Sequence, residues 1–193
     1  FSLINGFLHI VFTYKYIIMQ LIAEKAWFYY FVFVYYTMRQ KELNMKKIVI
    51  FDLDGTLALI DKRRDLATKD NGKFDWDVFF DPANIDLDLP NQPVIDMANM
   101  LSKQGYTIMI LSGRSDVTHQ ATRDWLNKHG VWFDTLTMRT KHYHYTKDSD
   151  LKQMWLDGIG VDNVAMVFDD RQQVVDMWRS NGLTCFQVAD GDF

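Results

Sequence analysis

Ile48-Val49-Ile50-Phe51-Asp52-Leu53-Asp54-Gly55-Thr56-Leu57 is the stretch whose reading decides the fold. It opens on four apolar residues, three of them β-branched. A short apolar run closed by a turn signal reads as a buried strand of a parallel sheet. Side chains alternate along a strand, so Asp52 and Asp54 leave it on the same side. Gly55 lets the chain turn sharply after them. Two carboxylates thus meet at the carboxyl end of a central strand, where open α/β sheets bind ligands. There they can divide the work, one attacking or binding metal and the other moving a proton. A lone Asp-x-Asp is more often a strand end before an acidic turn. The preceding hydrophobics and the following Gly-Thr-Leu make this pattern far more specific.

The chain of 193 residues accommodates one domain with an appendage, and its net charge of -4 does not suggest broad polyanion binding. The charge is uneven. Residues 1–44 carry Lys15, Lys25, Arg39 and Lys41 against Glu24 and Glu42, a net of +2. Contact with nucleic acid must therefore come from a local cluster. Cys185 is the only cysteine, which excludes an internal disulfide and a cysteine metal cluster. It lies in an apparent strand, where a buried structural thiol is expected, and the composition fits a reducing, cytoplasmic setting.

Residues 1–44 differ from the rest, holding 13 of the 29 aromatic residues. The apolar part, 26–38, is shorter than the ~20 residues that span a bilayer. A basic start and a small-residue cleavage site are lacking, so it is not a tidy signal peptide. Membrane contact, an extra helix packed on the domain, and upstream sequence ahead of Met45-Lys46-Lys47 are the alternatives. The expectation is that 1–44 lies outside the functional fold and that 45–193 forms it.

Beyond the first strand, Asp61-Lys62-Arg63-Arg64 forms a basic cluster. Residues 65–92 read as a small irregular insertion with a short helix near 75–80, in which Trp76 and Phe79 serve as a minor core rather than as base-stacking groups. Strands and helices then alternate. Helices are expected over 93–104, 115–129, 148–156 and 171–180, the second with Val117, Ala121 and Trp125 inward and the third capped by Asp148 or Ser149. Strands are expected over 106–111, 134–138, 164–168 and 184–188. Such alternation means βαβ units and a mainly parallel five-stranded sheet with helices on both faces.

Three strands end in polar groups: Asp52/Asp54, Ser112-Gly113-Arg114 and Asp169-Asp170. Each alone has an ordinary explanation, a turn or a helix cap. In a parallel sheet the three share one edge and can converge. Clustered carboxylates repel unless a cation compensates, and oxygen-only ligands suit Mg²⁺. Ser112, the backbone N–H groups at Gly113, Arg114 and a lysine could hold a phosphate at that metal. No P-loop, zinc-protease or cysteine-zinc pattern occurs. His142-Tyr143-His144 reads as surface loop.

In that order, Asp52-Leu53-Asp54-Gly55-Thr56, Leu111-Ser112-Gly113-Arg114, Lys152 and Asp169-Asp170 resemble the four motifs of the haloacid dehalogenase-like phosphohydrolases. The resemblance implies a three-layer Rossmann-like fold with a small insertion after the first strand. It implies that Asp52 is the nucleophile, forming an aspartyl-phosphate, and that Asp54 is the general acid and then base. Mg²⁺ would be held by Asp52, the Asp54 backbone carbonyl and Asp169, with Asp170 in support. Thr56, Ser112, Gly113 and Lys152 would meet the phosphate or substrate. The Ser-Gly-Arg motif, the run 167–179 and the closing 185–193 resemble more narrowly the 3′-phosphatase half of phage polynucleotide kinase-phosphatases. That subfamily's arginine falls on Arg63, and its acid one helical turn before the lysine falls on Asp148, where an i,i+4 pair can orient Lys152. Lys147 is the competing lysine. Arg63 and Arg114 suit phosphate recognition, with surface ion pairs to nearby acids as the alternative.

The implied function is a Mg²⁺-dependent phosphatase acting on 3′-phosphate ends of DNA or RNA. The alternatives are a phosphatase of nucleotides or other small metabolites, and a non-catalytic binding domain. No stable protein partner is implied.

Overall fold

The computed structural model describes residue 27, residues 29–35 and residues 47–191. It divides into two compact units, Phe1–Met45 and Lys46–Phe193. Of the first unit only a helical piece is described, with Trp27, Tyr29, Phe31 and Phe33 all more than half exposed. The other expectations for 1–44 lie outside the described residues. No helix among those described is long and apolar enough to cross a membrane.

The second unit is built on a five-stranded sheet of order β5-β4-β1-β6-β7, parallel throughout. Its strands are β1 (Ile48–Phe51), β4 (Thr107–Ser115), β5 (Thr135–Arg139), β6 (Val164–Asp169) and β7 (Cys185–Gln187). The expected α/β class and strand count are what the structure has. β1 is central and buried on both faces, as its unbroken apolar run requires. Val49 and Phe51 face one core with Ile95, Ala98, Trp125 and Leu126. Ile50 faces the other with Leu156, Val174, Val175 and Trp178. These residues belong to helices α3 (Gln92–Lys103) and α4 (His119–Lys128) on one side, and α5 (Asp148–Ile159) and α6 (Gln172–Ser180) on the other. The chain leaves β1 towards β4 on one flank and returns to β6 on the other. That reversal of strand order opens a crevice at the carboxyl ends.

The insertion after β1 is more ordered than its sequence suggests. A two-stranded antiparallel ribbon, β2 (Ala58–Leu59) with β3 (Leu89–Pro90), closes its base. Between them lie α1 (Asp61–Ala67), α2 (Trp76–Phe79) and a 3₁₀ turn, Pro82–Leu87. Asp75 caps α2 by accepting from the N–H groups of Asp77 and Val78.

Three local expectations are corrected. β4 does not stop at Leu111 but continues through Ser112-Gly113-Arg114, its pairing with β5 slipping between Ser112 and Ser115. Such irregularities re-aim side chains beside functional sites. Val117 is 64% exposed, because a 3₁₀ turn over Asp116–Thr118 shifts the helical phase and buries Thr118 instead. Neither Asp148 nor Ser149 caps α5. Lys147 holds that position without a side-chain bond, and the Asp148 carboxylate is taken by Arg139 and Lys152.

Candidate active site

Two charge clusters stand at the carboxyl edge of the sheet. In the first, the Lys152 ammonium lies 2.6 Å from Asp52 Oδ1, 2.9 Å from Asp169 Oδ2 and 3.5 Å from Asp148 Oδ2. Each group comes from a different place: Asp52 follows β1, Asp169 ends β6, and Asp148 and Lys152 sit one turn apart on α5. Trp178 donates its indole N–H to Asp169 Oδ2 at 3.1 Å. Thr56 donates to Asp170 Oδ1 at 3.1 Å. Arg139, at the end of β5, donates to the Gly113 carbonyl and pairs with Asp148 at 3.1 Å. Asp148 lies so close over Gly113 that a Cβ there would collide with its carboxylate. Gly55, at φ 84°, likewise leaves room for the Asp170 carboxylate.

In the second cluster Asp54 is clamped. Arg63 donates to Asp54 Oδ1 at 2.7 Å, and Arg114 Nε donates to the same oxygen at 2.6 Å. Both arginines also grip Asp88, at 2.8 Å and 2.5 Å, and Arg114 reaches the Thr122 hydroxyl. Arg63, Arg114 and Asp88 are almost wholly buried.

These surroundings set the proton affinities. Burial pushes the Asp52 carboxyl well up, and Asp169 and Asp170 add to the rise against the opposing pull of Lys152. Burial by itself would strip the Lys152 proton, but Asp148, Asp169 and Asp52 outweigh it and keep the ammonium charged. Asp170 is raised to about 6, by burial first and Asp169 second. Asp54 goes the other way: burial would raise it, yet Arg114 and Arg63 hold it below the usual carboxylate range. Buried Cys185 is pushed up to about 12 by desolvation first, so its thiol is inert, as expected.

The first cluster fits a hard divalent cation. Asp52, Asp169 and Asp170 each offer one oxygen, all within 4.8 Å of one another. Asp170 Oδ2 is buried with no hydrogen-bond partner, an atom left for a cation. With all four carboxylates (52, 148, 169 and 170) ionised against Lys152 and Arg139, the formal excess is two negative charges, which a divalent cation would offset, and an all-oxygen set suits Mg²⁺. The Asp54 carboxylate stands outside this set, with the arginines.

The sequence-derived residues are therefore brought together, in two groups. Thr56 and Ser112 are fully buried; Thr56 supports Asp170, and the Ser112 hydroxyl accepts from the Arg114 N–H at 3.2 Å. Arg63 and Arg114 do pair with acids, Asp54 and Asp88, but in the interior rather than at the surface. Lys152, not Lys147, reaches the carboxylates. Asp88, Arg139 and Trp178 were not foreseen. Removing Asp88 leaves two buried guanidinium groups short of an anion, which typically costs ~3–5 kcal/mol. Asp88→Ala should therefore lower the melting temperature by roughly 6–20 °C and lower turnover with it. An unchanged melt would show that Asp88 is dispensable.

Asp52, Asp54, Arg114, Lys152 and Asp170 all line one cavity of about 710 Å³. A family model described as the polynucleotide kinase PNKP phosphatase domain matches residues 46–193. The chain belongs to that family. It carries a phosphatase domain of the haloacid dehalogenase-like kind, and the resemblance read from the four motifs is borne out. The chain is 35% identical over 150 residues, 74% of its length, to a protein of Autographa californica nuclear polyhedrosis virus named a bifunctional polynucleotide kinase/RNA ligase. It is 37% identical to a chain in a solved Pnkp1/Rnl/Hen1 complex, covering 78% of this chain with a TM-score of 0.62. A haloacid dehalogenase family enzyme of Bacteroides thetaiotaomicron, solved with magnesium and inorganic phosphate, shares the fold at 13% identity over 76% of this chain and 96% of that one, with a TM-score of 0.51. The matched region spans 19% of the viral protein and 48% of the repair-complex chain.

Proposed function

We propose that this phosphatase domain is Mg²⁺-dependent and removes 3′-phosphates from DNA or RNA ends through an aspartyl-phosphate on Asp52. The observation that carries the reading is the Asp52–Lys152 pair, inside a cavity that Asp54 and Arg114 also line. The family match and the viral relative's name support a polynucleotide substrate.

In this reading an Asp52 oxygen attacks phosphorus while Asp54 protonates the departing 3′-oxygen. Water then attacks the acyl phosphate and gives its proton to Asp54, releasing phosphate and restoring Asp52. Lys152 offsets the charge on the transferred group. Bound Mg²⁺, held by Asp52, Asp169 and Asp170 with the Asp54 carbonyl, would neutralise phosphoryl charge. The arginine clamp keeps Asp54 ionised, which suits the base half. The acid half needs a higher proton affinity. A substrate phosphate beside Asp54 supplies it by adding negative charge next to the carboxylate. Arg63 serves by holding Asp54.

A substrate panel tests the proposal. A 3′-phosphorylated oligonucleotide should turn over with Mg²⁺ and not in excess EDTA, and a 5′-phosphorylated one should be poor. Equal rates on 3′- and 5′-ends, or on free mononucleotides, would leave a phosphatase of small metabolites.

A further inference from the structure

The insertion's aromatic cluster is divided. Phe79 is 6% exposed and forms core, with the Arg63 guanidinium 4.1 Å above its ring. Trp76 was expected to join that core, but it is 57% exposed. It is nevertheless held in place. Its ring makes T-shaped contacts with Phe74 at 4.6 Å and with Phe79 at 5.9 Å between centroids, and lies nearly parallel to Phe80 at 5.7 Å with 18° between planes. A large, braced, exposed indole is a ready stacking surface. Its position gives it a purpose, because Trp76, Phe74 and Phe80 line the same cavity as Asp52, Asp54 and Lys152.

The cavity is also far larger than a phosphoryl group needs, and Arg64, Lys147 and Arg171 line it too. A reacting-phosphate site, an aromatic wall and basic side chains in one concavity are the parts that bind single-stranded nucleic acid. The base of the nucleotide that bears the phosphate is the first flat apolar group that a chain end brings in.

We propose that Trp76 is the stacking platform for the nucleobase of the 3′-terminal nucleotide, and so favours a nucleotide end over a phosphate ester without a base. The inference rests on the 3′-end reading above and adds a specificity residue to it. Arg63 links the two regions, gripping Asp54 at one end and covering Phe79 at the other.

The experiment uses two 3′-phosphorylated oligonucleotides of one sequence, one with an ordinary terminal nucleotide and one with an abasic terminal sugar. Wild type, Trp76→Ala and Trp76→Phe of the full chain are compared for KM and kcat. Base–aromatic stacking of the usual strength predicts that Trp76→Ala loses about tenfold or more in kcat/KM on the ordinary end. The loss should fall in KM, and Trp76→Phe should recover most of it. On the abasic end the difference from wild type should shrink to within about twofold. Equal losses on both ends, or no loss on either, would overturn the stacking role while the 3′-phosphatase reading stands. Wild type that ignores both 3′-phosphorylated ends would overturn the two together.

Discussion

Asp52→Asn should abolish turnover and leave the fold intact. The amide is nearly isosteric, so the packing around residue 52 survives. Burial and the neighbouring Asp169 and Asp170 already disfavour its charge, so neutralising it relieves repulsion. Lys152 keeps Asp169 and Asp148 as partners. The melting temperature should therefore hold or rise slightly. Chemistry has no such substitute. An amide oxygen does not form the acyl phosphate, and loss of a nucleophile typically costs on the order of 10⁶-fold in kcat. Asp54→Asn should behave differently, with a loss of ~10²–10⁴-fold. That loss should shrink for the first chemical step on an ester whose leaving group needs no proton. Pre-steady-state release of such a leaving group separates the two variants. A folded Asp52→Asn protein with substantial turnover would refute nucleophilic attack by Asp52.

What the sequence could announce was whatever obeys a short-range pattern. The apolar run into Asp52 marks a buried central strand, and strand–helix alternation puts the ends of β1, β4 and β6 on one edge. That is enough to gather Asp52, Asp54, Ser112, Arg114, Asp169 and Asp170. Asp88 was invisible because it sits in an aperiodic stretch, and its arginine partners are 25 and 26 residues away along the chain. Helix α1 was missed for a related reason. It has no side-chain N-cap and no apolar stripe, and it buries Arg63 and Ala67 against groups supplied by tertiary structure. Arg139 was legible in principle, as the polar group ending a fourth strand of the same sheet. The weak apolar pattern of 134–138 hid it. Trp76 shows the opposite failure: its place in an aromatic-rich insertion argued for burial, yet the fold leaves it 57% exposed on the cavity wall.

Lys152→Met should lose both activity and stability, which sets it apart from Asp52→Asn. The methionine fills much of the lysine stem's volume but brings no charge. Asp52 and Asp169 then face each other inside the protein with their shared cation gone, while Asp148 retains Arg139. Breaking a buried ion pair from one side costs ~3–5 kcal/mol, because the remaining charge stays desolvated. For a domain of this size that is a fall of roughly 6–20 °C in melting temperature. Protonating Asp52, whose carboxyl burial already pushes well up, relieves part of the penalty, so the deficit should narrow as pH falls. The catalytic loss should be ~10²–10³-fold, the usual cost of removing one preorganised donor from a transition-state oxygen. Lys152→Arg should not rescue it: a planar fork does not fit where one ammonium meets three carboxylates. Melts across pH, set beside turnover of the same samples, check each part. A Lys152→Met protein as stable as wild type at neutral pH would show that the acids do not depend on this cation.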